Sequence, residues 1–77
     1  MSKLPEDRRS VFTDIYKYYE QFWDMPDDVD NWKKCAEGMG AVVSKHSGSV
    51  LARHLVLACY SAIEEEYKAV RRAIENA

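Results

Sequence analysis

No stretch of this chain holds the roughly 20 consecutive apolar residues that a membrane-spanning helix needs. Its longest apolar segment, residues 50–63, is interrupted by Arg53, His54 and Ser61. An excess of cations is also missing. Eleven Lys and Arg stand against 13 Asp and Glu, and a net charge of -2 gives no electrostatic reason to expect nucleic acid or an anionic membrane as partner. Gly and Pro are scarce, at three and two residues, while 47% of the chain is hydrophobic; that balance is unlike a disordered segment. Neither end carries a secretory h-region or a lipidation motif, so the chain reads as cytoplasmic. Cysteine is limited to Cys35 and Cys59, both on expected core faces, and a reducing compartment suits two small buried hydrophobes.

What is present is helical periodicity. Within residues 50–63, Leu51, Leu55, Ala58 and Ala62 recur at helical spacing, and a helix apolar around most of its girth is covered by neighbours on more than one side. Residues 1–77 make one domain, whose size allows only about 60% of the unfolded surface to be buried.

A first helix is predicted from about residue 5 to 23. Pro5 fits its first turn, and Glu6 and Asp7 suit the positive end of the helix dipole. Its expected apolar face is Phe12, Ile15, Tyr16, Tyr19, Phe22 and Trp23, widened by Val11 and Tyr18, with Asp14, Lys17, Glu20 and Gln21 outward. Pro26 disfavours a helical Met25 and ends it. Asp27 is the expected N-cap of a second helix, with Asp30 in a capping-box-like position. That helix carries Trp32, Cys35, Ala36, Met39, Val42, Val43 and His46 on one stripe, and Trp32 should reach Phe22 and pack against the third helix. Gly38 and Gly40 interrupt it, and close approach by the aromatics of the first helix would explain them. Gly48 suits a left-handed residue after the helix, and Ser49 caps a third helix reaching about residue 75. With connections this short, the fold class is all-α: an up-down-up three-helix bundle with a long C-terminal helix.

Residues 16–32 read Y-K-Y-Y-E-Q-F-W-D-M-P-D-D-V-D-N-W. Aromatics close one helix, a Met-Pro-Asp turn follows, and an Asp lies two residues before a Trp. This pattern resembles short, functionally uncharacterised proteins of prophage and mobile-element genes in Gram-positive bacteria, in which a hydrophobic helix ends in a Glu-rich segment, as at residues 63–67 here. The resemblance implies an all-helical fold and carries no functional residues with it.

Candidate chemistry is thin. Zinc sites carry paired ligands, whereas Cys35, His46, His54 and Cys59 are single, so no metal is expected. A calcium loop counted from Asp28 finds Asp30 at position 3, then Trp32, Lys33 and Met39 where oxygen, Gly and Glu are required. Asp24, Asp27, Asp28 and Asp30 are read as capping and turn residues. Gly38-Met39-Gly40 follows no strand and is not a phosphate loop. A nucleophilic Cys35 or Cys59 would need an exposed, electropositive setting, and both lie in apolar stripes. Glu64, Glu65 and Glu66 fan around a helix as a solvated face. Seven of the nine aromatics fall within residues 12–32, where Lys17 is the sole cation, which argues for core and against base stacking. A recognition helix at residues 47–57 would offer only Arg53 and His54 to bases.

No catalytic residue and no cofactor is therefore expected. A small protein-interaction module without enzymatic activity is, with a nucleic-acid-associated regulator of a mobile element as the alternative. The third helix should extend for about 40 Å against about 28 Å for the first. Because the two run parallel, its last turns overhang, and Tyr67, Val70 and Ile74 form an uncovered stripe. A homodimer through Tyr67, Val70 and Ile74 is the expected assembly.

Overall fold

The computed structural model describes residues 3–76. Three helices follow one another: α1 (Glu6–Phe22), α2 (Val29–Lys45) and α3 (Val50–Glu75). Each packs on both others, giving the three-helix bundle expected from the periodicity, and no strand occurs among the described residues.

The helix ends follow local chemistry. Pro5 precedes α1 without any side-chain cap, and Glu6 and Asp7 occupy the first turn. The α2 cap falls one residue later than expected. Asp28, not Asp27, adopts the extended capping conformation, and its carboxylate accepts from the Asn31 backbone N–H at 2.8 Å. The Asn31 amide also donates to that carboxylate, so Asn31 takes the place in the cap foreseen for Asp30. Asp27 is thereby freed for another task. At the far end of α2, Ser47 (φ 54°) and Gly48 (φ 73°) both turn left-handed, and the Gly48 N–H returns to the Val43 carbonyl. This closes the helix in the manner of a glycine C-cap. Ser49 then caps α3, its hydroxyl accepting from Ala52 N–H.

The core lies along Val11, Ile15, Tyr18 and Phe22 of α1, Cys35 of α2, and Ala52, Val56 and Ile63 of α3, with Met25 from the turn. The α1 face is rotated from the expected one. Phe12, Tyr16 and Trp23 are exposed, and Asp14, expected outward, is buried. The physical reason is that Val11, Ile15, Tyr18 and Phe22 share a helical stripe of their own, and Asp14 beside it finds cationic partners on α2. Residues 50–63 are likewise less enclosed than foreseen. Ala52, Val56 and Ile63 are buried, but Val50 and Leu57 are open to solvent, because two helices cover one side of α3 and leave the other free.

Gly38 explains how α1 and α2 approach. A Cβ there would sit 3.2 Å from Phe22 Cε2 and 3.2 Å from Tyr18 Cε2, so the missing side chain is space filled by these rings. A Cβ at Gly40 would meet nothing within 4 Å outside its own helix backbone, so Gly40 plays no such part. Of the two contacts expected of Trp32, the one with the third helix is made and the one with Phe22 is not. Phe22 tilts against Tyr18 with ring centroids 5.1 Å apart, while Trp32 turns to α3 and meets Tyr60 and Tyr67 edge-on at 5.9 and 5.4 Å.

Candidate interaction surface

The polar side chains near the core are spent on holding the helices together. In the α1–α2 seam, His46 Nε2 donates to Asp14 Oδ2 at 2.7 Å, and Lys45 Nζ lies 3.0 Å from the same oxygen. The Lys45 ammonium, and after it His46, hold the Asp14 carboxyl below its usual range against the opposing effect of burial. Deeper in, the Tyr18 hydroxyl donates to the Cys35 carbonyl and lies 3.0 Å from its sulfur. Burial raises both the Tyr18 hydroxyl and the Cys35 thiol, which keeps the thiolate, the reactive form of cysteine, out of reach. Cys59, half-buried, is raised for the same reason.

A second polar knot ties the α1–α2 turn to α3. Arg71 Nε donates to Asp27 Oδ2 at 2.7 Å and Nη2 to Oδ1 at 2.5 Å, a two-pronged contact that fixes geometry as well as charge. Trp32 Nε1 donates to the same carboxylate at 2.7 Å, and the Arg71 guanidinium lies 6.0 Å from the Trp32 ring centroid. Arg71, then Trp32, pull the Asp27 carboxyl down to about 2. The Tyr67 hydroxyl donates to the Met25 carbonyl and reaches the Trp23 carbonyl at 3.5 Å. No buried side-chain nitrogen or oxygen among the described residues lacks a partner.

The residues weighed as metal ligands are not assembled. Among the described residues, no three His, Cys, Asp or Glu side chains come together as a metal site would require. His46 serves Asp14, His54 is exposed, and both cysteines are free thiols. Between α1 and α2 lies a shallow groove of about 410 Å³, lined by Tyr18, Phe22 and Gly38 and by Lys17, Lys34 and Glu37.

What is left unpaired is apolar. Phe12, Tyr16 and Trp23 are 48%, 68% and 51% exposed, and with half-buried Tyr19 they follow one another at i, i+4, i+7 and i+11, so they form a single aromatic line along α1. The second unpaired feature is the free end of α3. Tyr67 and Arg71 are its last ties to the bundle, since the hydroxyl of one and the guanidinium of the other are spent on the turn that follows α1. Beyond Arg71, residues 72–75 extend for about 6 Å at the helical rise. The chain is elongated, with a radius of gyration of 14.5 Å against about 11–12 Å expected for a compact domain of this length. Of the three residues expected on the uncovered stripe, Tyr67 is held within the chain, whereas Val70 and Ile74 are 55% and 70% exposed.

Sequence reasoning missed the aromatic line because two overlapping apolar stripes run from Val11 to Trp23, and it merged them into one wide face. The signal that separates them is Asp14: the stripe beside it is the one that a cationic neighbour on α2 can close.

Compared with protein-family models, curated proteins and solved structures, the chain matches none of them.

Proposed function

We propose that this chain is a small protein-interaction module that carries no catalytic chemistry and associates with itself. One observation carries the reading: five of its large exposed apolar side chains, Phe12, Tyr16, Trp23, Val70 and Ile74, are aligned on two helix faces. Single exposed hydrophobes are ordinary on a protein surface, but contiguous ones mark binding surfaces. Two such features are present, the Phe12, Tyr16 and Trp23 line and the free end of α3 with Val70 and Ile74. The polar groups support the same reading, since Asp14, His46, Asp27 and Arg71 are all committed to holding the fold. A photo-crosslinking amino acid placed at Tyr16, and separately at Val70, tests it in the native host. Discrete protein adducts are expected from at least one position, and a clean absence from both sinks the reading.

The alternative, a nucleic-acid-associated regulator, rests on the resemblance to mobile-element proteins. It would require a cationic face, and Asp24, Asp27, Asp28 and Asp30 crowd the turn before α2 and its first residues. Retention on heparin that collapses steeply with salt is the observation that would favour it.

A further inference from the structure

We infer that the aromatic face of α1 docks on the same face of a second copy, antiparallel about a two-fold axis at Tyr16, each copy seating its Phe12 in a hollow on the other. This rests on the interaction-module reading and goes further by naming the partner and the contact. Three observations lead to it.

The first is a ring and a place for it. Phe12 is 48% exposed, and Tyr16, Tyr19, Glu20 and Trp23 line an open hollow of about 170 Å³ further along the same face. A space of about 150 Å³ accepts a benzene ring. Phe12 stands four residues before Tyr16, and Glu20, on the wall of the hollow, stands four after it. Two copies of α1 that cross antiparallel at Tyr16 therefore bring each Phe12 over the other's hollow, about 6 Å along the helix from the axis. An aromatic side chain seated in a pocket is the kind of anchor on which interfaces depend.

The second is charge. Around the helix, Arg8 and Arg9 lie about 40° and 60° from Phe12, whereas Glu6 and Asp7 lie about 120° and 140° away. The aromatic line is thus bordered by two cations where it begins, and by Glu20 and Asp24 where it ends. All four are exposed, and none is in an ion pair among the described residues. A partner of uniform charge would be repelled at one end of this face. Reversed, α1 itself matches at both ends, because Arg8 and Asp24 stand eight residues either side of Tyr16. This complementarity of the face to itself is why the occupant is a second copy.

The third is the ground beside the line. Tyr60 and Tyr67 turn to Trp32 of α2, so the flank of α3 on the other side of Ile63, with Leu55, Cys59 and Ala62, lies toward α1. That flank is apolar as far as Glu66, which adds to the acidic end. Phe12, Tyr16 and Trp23, at 48%, 68% and 51% exposed, leave roughly 250–400 Å² of ring surface per copy, given about 150–250 Å² for each whole side chain. Doubled by symmetry and widened by the α3 flank, the contact belongs with transient interfaces below about 1,200 Å², so the association is a reversible one.

Sedimentation equilibrium on the full chain, from about 1 to 500 µM, reads the association directly. The parent should be in monomer–dimer equilibrium, and Phe12→Glu should be monomeric with its helical circular dichroism unchanged, since Phe12 lies outside the core. Arg8→Glu/Arg9→Glu and Glu20→Lys/Asp24→Lys should each weaken the dimer about fivefold or more. Both exchanges suit the α1 dipole, so the helix is retained. Mixing the two proteins should restore a mixed dimer, because both opposed ends are then complementary. A parent that is monomeric throughout, a Phe12→Glu protein that still dimerises, or a mixture no tighter than its components overturns the inference. A dimer indifferent to Phe12→Glu but lost in Val70→Glu/Ile74→Glu overturns it as well, and leaves self-association standing at the end of α3. Crosslinks from Tyr16 to a different protein, beside a monomeric parent, overturn it and leave an interaction module with another partner.

Discussion

His46 places its imidazole 2.7 Å from the carboxylate of Asp14, 32 residues earlier, and both side chains are about nine-tenths buried. With Lys45 at 3.0 Å, this is the charged clasp of the α1–α2 seam. Hydrogen bonds to charged groups contribute more than neutral ones, so Asp14→Asn should destabilise the protein by about 1–2 kcal/mol at neutral pH. The pH dependence has a definite sign. The folded-state pKa of Asp14 is depressed, chiefly by Lys45. Its contribution is therefore complete above the unfolded value of about 3.9 and fades as the pH falls through the lower folded value. Urea unfolding of parent and Asp14→Asn at pH 7 and pH 3 should show the gap narrowing in acid. A gap equal at both would detach Asp14 from the clasp.

The two α2 glycines should respond in opposite directions to the same substitution. Gly40 lies inside the helix, where a Cβ would meet nothing outside the helix's own backbone, so Gly40→Ala should stabilise by about 0.5–1 kcal/mol through helix propensity alone. Gly38→Ala gains the same propensity but pushes a methyl to 3.2 Å from Tyr18 and Phe22, and Tyr18 is anchored to Cys35 and cannot move freely. Overpacking costs about 1–3 kcal/mol, so the net effect should be destabilising. Thermal melts of both variants decide it, and a stabilised Gly38→Ala would mean that α1 and α2 sit farther apart.

Two apolar truncations should separate the centre of the core from its edge. Ile63 is wholly buried between the helices, and Ile63→Ala should cost about 3–4 kcal/mol. Trp32 is half-buried, packs on Tyr60 and Tyr67 and is hydrogen-bonded to Asp27, so Trp32→Ala should cost nearly as much. Trp32→Phe should recover most of the loss by keeping the edge-on contacts. If Trp32→Ala melts within a few degrees of the parent, the α2–α3 face is not held by this ring.

Arg71 is expected to govern the order of the α3 end. Arg71→Ala removes both bonds to Asp27, so amide hydrogen exchange in residues 68–75 should accelerate. The Asp27 carboxyl, now titrating at about 2 because of Arg71, should climb toward the ordinary range in that variant. Carboxyl carbon shifts followed across acid pH would report the change, and an Asp27 that stays depressed would assign the effect to Trp32.

How much of this was legible beforehand varies with the kind of force involved. Helix order and ends could be read because they depend on neighbours in sequence: Pro26 stops one helix, Gly48 turns the chain and Ser49 starts the next. The choice of face on α1 could not. Phe12 and Tyr16 are as apolar as Val11 and Ile15, and what selects between them is Asp14 meeting Lys45 and His46, a contact between distant positions. The same holds for the candidate surface. The overhang of α3 follows from helix lengths alone, so Val70 and Ile74 were visible in the sequence. The exposure of Trp23 was not, because an apolar residue at a helix end carries no mark of whether another helix will cover it. Tyr67 was misjudged as free for the opposite reason, since the Met25 carbonyl that holds its hydroxyl belongs to a turn whose path only the fold defines.

The sealed position of Cys35 makes the molecule its own stopwatch. The Cys35 residue is 0% exposed and sits beneath the Tyr18 hydroxyl, whereas Cys59 on the neighbouring helix is only half covered. A thiol reagent therefore meets one sulfur in the native molecule and the other only when α2 swings away from α1. Under conditions where labelling outruns reclosing, the slower of the two modification rates becomes the opening frequency of the bundle. Oxidative damage in a stressed environment would follow the same order, reaching Cys59 first and Cys35 only in molecules that had already come apart.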